Sequence, residues 1–213
     1  MSVHSQLRNV FCLGKNFAAH ARELNSLPPS SPIWFNKLPS TFIGDGDSIN
    51  IPSWLNTRVD CEAEVAVLLG AELFNSNAAQ CEDAIQSFTC ANDITARAVQ
   101  GQDRDSGLPW LRSKNIQSFG VLGPHWIDFP GQQKFSELEL IGRLNGEIVQ
   151  QALLGDMIFS AAEALSEICR WHRLHPGDVL LLGTPKGVSP IADGDVLEVS
   201  CSELVLRNQV CQA

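Results

Sequence analysis

The sequence predicts an α+β fold in which short strands outnumber a few short helices. Strand-like and helix-like patterns do not alternate regularly along the 213 residues, which disfavours a doubly wound sheet. The 16 glycines and 11 prolines imply many turns. Hydrophobic content of 44% with 18% charged residues is ordinary for a globular protein, and the length suits one large domain over residues 1–213.

The first part of the chain predicts a strand, a helix and a second strand around a proline-rich connector. Residues 9–14 have the apolar run of a buried strand, and residues 16–24 suit a helix. Residues 25–32 are rich in serine and proline, which favours a hinge. We therefore interpret residues 16–32 as a mobile lid with its hinge, followed by a strand over residues 33–37.

Three local signals organise the rest of the chain. Asn77 can cap a helix that continues to Phe88. Asn145-Gly146, flanked by apolar segments, is a strong hairpin signal. Asp156 can cap a second helix, which Pro176-Gly177 stops. The last two strands are predicted over residues 178–182 and 195–199.

Charge and cysteine usage exclude several classes of protein. The net charge of −9 and a pI near 4.9 argue against a nucleic-acid or anionic-lipid surface, so small molecules are the expected partners. The seven cysteines are odd in number and form no CxxC pair, and no signal core or membrane-spanning run is evident. We expect reduced thiols in a cytoplasmic protein. Nucleotide-binding loops and the HExxH and GxSxG motifs do not occur in the sequence.

Three carboxylates are closely spaced in a strand-like segment over residues 59–69. In a strand, Asp60, Glu62 and Glu64 would share one face at steps of roughly 6.5 to 7 Å. Such charges repel one another, and no Lys or Arg alternates with them. A divalent cation would compensate them, since oxygen ligands suit Mg²⁺, Mn²⁺ or Ca²⁺. An exposed acidic edge strand is the alternative.

A second polar region begins at Asp93, which offers a carboxylate ligand from another part of the chain. An Asx turn explains the same residue equally well. Gln100, Arg104, Arg112 and Lys114 follow in an otherwise acidic protein. They can bind a carboxylate substrate or simply be solvated.

His20 and Glu23 are three residues apart, which places them on one face of a helix. A carboxylate beside an imidazole sets its tautomer and raises its basicity, as activation of water requires. A surface ion pair has the same spacing. The position just before the proline-rich segment favours a base carried on a lid.

Six motifs, in order along the chain, resemble the fumarylacetoacetate hydrolase family. They are His20-x-x-Glu23, Asp60-Cys-Glu62-Ala-Glu64, Asn92-Asp93-Ile-Thr-Ala-Arg97, Trp110-Leu-Arg-Ser-Lys114, Asp156-Met-Ile-Phe-Ser160 and Gly183-Thr184-Pro185-Lys-Gly187-Val188. The resemblance covers residues 10–210. It implies the mixed β-roll of that family's catalytic domain, usually as a homodimer.

The resemblance also implies a metal centre. Glu62, Glu64 and Asp93 would bind Mg²⁺ or Mn²⁺, and Lys114 would act beside the substrate.

Four further residues receive roles by the same resemblance. His20 and Glu23 match the lid pair that activates water in hydrolytic members of the family. Gln100 and Thr184 would bind the substrate carboxylate, and Arg22 is a further candidate for substrate binding.

The expected activity is metal-dependent cleavage of a C–C bond in a small anionic 2-oxo acid, through an enolate that the cation stabilises. Hydrolysis of an acylpyruvate or fumarylpyruvate would need the water activated by His20, whereas decarboxylation of oxaloacetate would not. Keto–enol tautomerisation of oxaloacetate needs proton transfer alone. A non-catalytic dicarboxylate-binding protein with a structural cation remains a further alternative.

Overall fold

The computed structural model describes residues 7–23 and 27–213. Within them the strands are β1 (Val10–Gly14), β2 (Ile33–Lys37), β3 (Phe42–Ile43), β4 (Ser48–Ile51), β5 (Val59–Cys61), β6 (Ala63–Leu69), β7 (Ile85–Asp93), β8 (Thr95–Ala96), β9 (Gly120–Leu122), β10 (Ile127–Asp128), β11 (Glu139–Leu144), β12 (Glu147–Leu153), β13 (Val179–Leu181), β14 (Ser189–Pro190), β15 (Val196–Cys201) and β16 (Leu204–Gln212). The α-helices are α1 (Ala18–Glu23), α2 (Ala78–Asp83), α3 (Arg97–Asp105), α4 (Leu111–Lys114), α5 (Gln132–Ser136) and α6 (Ala161–Trp171). Short 3₁₀ turns lie at Pro39–Thr41 and Leu154–Asp156.

The predicted α+β class is confirmed, with two mixed sheets and one small antiparallel sheet over the described residues. The largest has the order β2-β1-β13-β6-β7-β9-β3, and β10 also pairs with β7. The second has the order β12-β11-β15-β16-β4, and the third the order β14-β5-β8. Strand β1 runs parallel to β13, β3 to β9 and β4 to β16, while the other pairs are antiparallel.

The main core lies between the first two sheets, where β15 and β16 pack on β7 and β11 packs on β6. Val65 and Val67 of β6 belong to the same buried cluster as Leu197 of β15. The approach is closest at Gly142, where a Cβ atom would lie 2.8 Å from Ala63 Cβ. Glycine is therefore required at residue 142, and this contact holds β11 against the strand that carries the acidic motif.

The hairpin prediction is confirmed. Asn145 and Gly146 join β11 to β12 with φ values of 53° and 88°. Positive φ at both turn residues is what the Asn-Gly pair accommodates and what matches the twist of the two strands.

The helix predicted over residues 77–88 is too long. Asn77 caps it as expected, in a capping box with Gln80, but α2 ends at Asp83. Ile85 and Phe88 lie in β7, because that segment pairs with β6 on one side and with β9 and β10 on the other. Long-range pairing therefore overrides the local helical pattern.

Asp156 does not cap the second helix, and that prediction is wrong. It lies in a 3₁₀ turn, and α6 is capped by Ser160, whose hydroxyl accepts a hydrogen bond from the Glu163 N–H at 3.2 Å. In turn, the Glu163 carboxylate accepts a hydrogen bond from the Ser160 N–H at 2.8 Å. These two hydrogen bonds satisfy two N–H groups that have no partner within the helix. Asp156 cannot make them, because it lies four residues before the N-cap.

The predicted lid begins with α1. Residues 24–26, which belong to the predicted lid and hinge over residues 16–32, lie outside the described residues. Asn16 anchors the start of the segment, because its side-chain amide bonds to Phe159 O at 3.0 Å and Leu182 O at 2.9 Å, and its Oδ1 accepts from Phe159 N–H at 2.9 Å. The helix therefore leaves the sheet from a fixed point.

The seven cysteines are free thiols. In the described part of the chain, no helix has both the length and the apolar composition needed to cross a bilayer.

Candidate active site

Three carboxylates converge where β6 and β7 lie side by side. Glu62 precedes β6, Glu64 is its second residue and Asp93 ends β7. Antiparallel pairing sets Glu64 opposite Ala91, and the Asp93 N–H donates to Glu62 O at 2.9 Å. One oxygen from each of these buried side chains lies within 4.8 Å of the others.

Asp60 is not part of this group. Strand β5 pairs with β8 and β14, whereas β6 pairs with β7 and β13, so the chain passes from one sheet to another at Glu62. The continuous strand with three carboxylates on one face is therefore a wrong prediction. The Asp60 oxygens accept from Arg58 Nε at 2.6 Å and Arg97 Nε at 2.8 Å, which compensates the carboxylate without a metal.

Cations that the local sequence did not reveal reach two of the three carboxylates. Lys114 Nζ lies 2.7 Å from Glu62 Oε2 and 2.5 Å from Asp93 Oδ2. Arg97 Nη2 also donates to Glu62 Oε1. The expectation that a divalent cation compensates the acidic motif did not include these residues, because they come from α3 and α4 and not from the strand itself.

Lys37 is a site residue that the sequence reasoning missed. Its side chain is fully buried, and Nζ donates to Asp93 Oδ1 at 2.7 Å and Phe119 O at 2.9 Å. The sequence did contain a signal for this residue, because Lys37 ends the predicted apolar strand over residues 33–37. A lysine that is buried with such a strand needs an acidic partner.

Glu64 differs from its two neighbours. Its carboxylate accepts the Gly183 N–H at 2.8 Å, but no Lys or Arg of the described residues lies within ion-pair distance. Burial, together with the charges of Asp93 and Glu62, raises the pKa of Glu64 well above its ordinary value. Glu64 thus lacks a cationic partner. Oxygen atoms of all three carboxylates surround a position where a bound cation would be that partner. The donor set fits Mg²⁺ or Mn²⁺.

The opposite balance holds at Glu62 and Lys114. Burial alone would raise the pKa of Glu62, but Lys114 and Arg97 outweigh it and hold that pKa below its ordinary range. Burial would lower the pKa of Lys114, but Asp93 and Glu62 raise it above its ordinary value. The ion pairs with Asp93 and Glu62 therefore favour the charged form of Lys114.

A cavity of about 270 Å³ opens beside the carboxylates. Its walls include most of the residues that the sequence predicts to be functional, namely His20, Glu62, Glu64, Gln100, Lys114 and Thr184. Arg22 does not line this cavity. It lines a neighbouring cavity of about 310 Å³ together with Asp156 and Lys186.

His20 and Glu23 form the expected pair, with His20 Nδ1 2.9 Å from Glu23 Oε2. His20 is only 4% exposed, whereas the Glu23 side chain is 40% exposed, so the imidazole of the pair is buried and its carboxylate reaches the surface. The Glu23 carboxylate also accepts the Gly187 N–H at 3.1 Å, which fixes α1 to the turn after β13. Because Nδ1 is engaged, Nε2 is the ring nitrogen left for a water or a substrate.

The two residues predicted to bind the substrate carboxylate, Gln100 and Thr184, differ in the hydrogen-bond donors that they have free. Gln100 Oε1 accepts from Arg97 Nη1 at 2.6 Å, which leaves its amide N–H groups as donors. The Thr184 hydroxyl donates to Ala63 O at 2.8 Å and accepts from Gln150 Nε2 at 2.7 Å. Its single proton is therefore already committed to the protein.

The sequence matches the family model for the C-terminal domain of fumarylacetoacetate hydrolase over residues 9–211. It is 41% identical to the uncharacterised protein PH0643 of Pyrococcus horikoshii over 189 residues, 89% of this chain and 81% of that protein. It is 34% identical to the mitochondrial oxaloacetate tautomerase FAHD1 of Arabidopsis thaliana over 199 residues, 92% of this chain and 86% of that protein.

Solved structures agree with the fold. Fumarylpyruvate hydrolase of Pseudomonas aeruginosa, in complex with Mn²⁺ and pyruvate, superposes with a TM-score of 0.90 at 26% identity, covering 97% of this chain and 91% of that one. 5-Carboxymethyl-2-hydroxymuconate delta-isomerase of Mycobacterium smegmatis gives 0.85 at 32% identity, covering 98% and 80%. The chain belongs to the fumarylacetoacetate hydrolase family.

Proposed function

We propose that this protein is a Mg²⁺- or Mn²⁺-dependent enzyme that cleaves a C–C bond in a small anionic 2-oxo acid, by hydrolysis of an acylpyruvate or fumarylpyruvate. The observation that carries the proposal is a buried imidazole, paired with Glu23, in the same cavity as Glu62 and Glu64. A buried base beside a cation site suits activation of a water molecule more than passive binding.

Glu62, Glu64 and Asp93 would hold the cation. When bound there, it would polarise the 2-oxo group and favour negative charge on that oxygen. Lys114 would add a fixed positive charge beside the same oxygen, because its ammonium group lies between Glu62 and Asp93. The amide of Gln100 would orient the carboxylate of the 2-oxo acid.

His20 would take a proton from a water molecule that attacks the carbonyl distant from the 2-oxo group. The C–C bond then breaks, its electron pair stays with the pyruvate fragment, and the other fragment leaves as a carboxylic acid. The proton held by His20 completes pyruvate at that carbon. Glu23 would keep Nδ1 protonated, so that Nε2 receives the proton from water.

Keto–enol tautomerisation of oxaloacetate is a second candidate. The support is the name of two relatives, the oxaloacetate tautomerases FAHD1 of Arabidopsis thaliana and of Bos taurus, at 34% and 30% identity. It needs the same enolate and one proton carrier, a role for which His20 is also placed. Decarboxylation of oxaloacetate would use the enolate without His20.

Purified protein, stripped of metal and then reloaded with Mg²⁺ or Mn²⁺, separates these reactions. Acetylpyruvate, fumarylpyruvate and oxaloacetate are followed by ultraviolet absorbance and by product analysis. We expect metal-dependent release of pyruvate from an acylpyruvate. Full activity in verified metal-free protein contradicts the metal site, and activity confined to oxaloacetate enolisation replaces hydrolysis by the second candidate. Ligand stabilisation without any turnover indicates a binding protein.

A further inference from the structure

The cavity contains more positive charge than the carboxylate cluster uses. Four Lys or Arg side chains line it, namely Lys15, Arg97, Arg104 and Lys114. Arg97 and Lys114 are bound to Asp60, Glu62 and Asp93. Over residues 7–23 and 27–213, Lys15 has no acidic partner within ion-pair distance, and Arg104 pairs only with its exposed neighbour Asp105.

Lys15 is also held in a costly backbone conformation. Its φ of 57° lies in the left-handed region, which a lysine rarely adopts. Strain of this kind persists only where the surroundings enforce it, and it concentrates at ligand-binding positions.

The neighbouring residues Gly14 and Asn16 hold Lys15 in this conformation. A Cβ atom at Gly14 would lie 2.9 Å from the Trp110 ring, so the backbone there lies against α4 and its preceding turn. On the other side, Asn16 is bound to Phe159 and Leu182. The chain turns between these two anchors, and the turn delivers the half-buried Lys15 side chain to the cavity wall.

The geometry points to Lys15, assisted by Arg104, as the residue that selects substrates with a second carboxylate at the end remote from the 2-oxo acid. This inference rests on the proposed function, in which Gln100, Lys114 and the cation take the first carboxylate and the 2-oxo group. A chain of net charge −9 repels a dianion, so Lys15, which has no acidic partner, and Arg104, which pairs only with exposed Asp105, favour its binding in the cavity. A substrate that ends in a methyl group would leave them unused.

The test compares fumarylpyruvate with acetylpyruvate, which undergo the same cleavage and differ at the remote end. Lys15→Asn removes the charge and keeps a residue that tolerates positive φ, and Lys15→Arg keeps the charge. Arg170→Gln, on the exposed face of α6, is the control for charge lost from the protein. We expect Lys15→Asn to lose at least tenfold in kcat/KM for fumarylpyruvate, with acetylpyruvate changed less than twofold. Lys15→Arg should restore most of the preference, and Arg104→Gln should lose part of it.

If Lys15→Asn loses kcat/KM equally for fumarylpyruvate and acetylpyruvate, or if the ratio of the two values is unchanged, the inference is overturned. Hydrolysis by the wild type would still support the proposed function. If the wild type hydrolyses neither compound, the proposed hydrolysis fails, and calorimetric binding of oxaloacetate and pyruvate to the Mg²⁺-supplemented protein decides the inference. A preference for oxaloacetate that disappears in Lys15→Asn supports it. A preference that persists rejects it.

Discussion

Lys37 Nζ lies 2.7 Å from Asp93 Oδ1, in a fully buried ion pair that joins β2 to the end of β7. The two residues are 56 positions apart in sequence. The other carboxylate oxygen, Asp93 Oδ2, accepts from Lys114, so one oxygen is bound by a structural partner and the other by a residue that lines the cavity.

Lys37→Met should therefore destabilise the protein by about 3 kcal/mol, because it leaves a buried carboxylate without one of its cations. Urea unfolding measures the change. Arg170→Gln is the matched control, since the exposed pair of Arg170 with Glu167 should contribute at most about 1 kcal/mol. Similar losses in both variants would mean that Lys37 does not stabilise Asp93.

Glu64→Gln should stabilise the metal-free protein while abolishing metal binding. The raised pKa of Glu64 means that its contribution to stability is present below the unfolded pKa, about 4.3, and is lost as pH rises toward the folded value. The lowered pKa of Glu62 acts in the opposite direction, but only in more acid solution.

The measurement for Glu64 is the free energy of unfolding of metal-free protein at pH 5 and pH 8. The wild type should lose stability over this interval relative to Glu64→Gln, and saturating Mn²⁺ should remove the difference by binding the wild type alone. Parallel pH profiles would show that the Glu64 charge is compensated by groups other than a metal.

Lys114→Met should separate metal binding from turnover. The ammonium group lies within hydrogen-bond distance of Glu62 and Asp93, two of the proposed metal ligands, so its removal should tighten binding of Mn²⁺. Turnover should fall by roughly 10- to 100-fold, the worth of a hydrogen bond to a charged group. Calorimetry and steady-state kinetics report the two effects. Lys186→Met, in the neighbouring cavity, should change neither. Weaker Mn²⁺ binding in Lys114→Met would instead make Lys114 an organiser of the ligands.

His20→Ala should reduce hydrolysis of acylpyruvates by about 10² to 10⁴, the usual contribution of a general base. Decarboxylation of oxaloacetate should fall less, because no water attacks in that reaction. Rates of pyruvate release and of CO₂ release from the same preparation give the comparison. Equal losses would assign His20 to closure of the cavity or to substrate binding.

Glu23 variants should distinguish its two contacts. Glu23→Gln keeps an oxygen that can accept the Gly187 N–H but loses the charge beside the imidazole, whereas Glu23→Ala loses both. We expect a mild loss of hydrolysis in the first variant and a larger one in the second. Identical losses would mean that the contact with Gly187 adds nothing to catalysis.

The residue pattern alone was sufficient where the interaction is local. The Asn145-Gly146 turn and the Asn77 cap depend on backbone angles and hydrogen bonds within a few residues, and both were predicted correctly. The pairing of His20 with Glu23 depends on one helical turn. The α+β class followed from the irregular succession of short strands and helices, and the family followed from six motifs in the same order along the chain.

Only the tertiary structure decided how the charges of the site are balanced. The local pattern placed Asp60 with Glu62 and Glu64, but the change of sheet at Glu62 gives Asp60 to Arg58 and Arg97. Whether residue 88 is helical or extended depended on its partners in two other strands, Val67 of β6 and Ile127 of β10. Asp93 pairs with Lys37, 56 positions away, and Glu62 pairs with Lys114, 52 positions away. The periodicity of the sequence carries no information about contacts over such separations. Burial makes each unpaired charge costly, so these long-range contacts determine which carboxylate is left without a cationic partner.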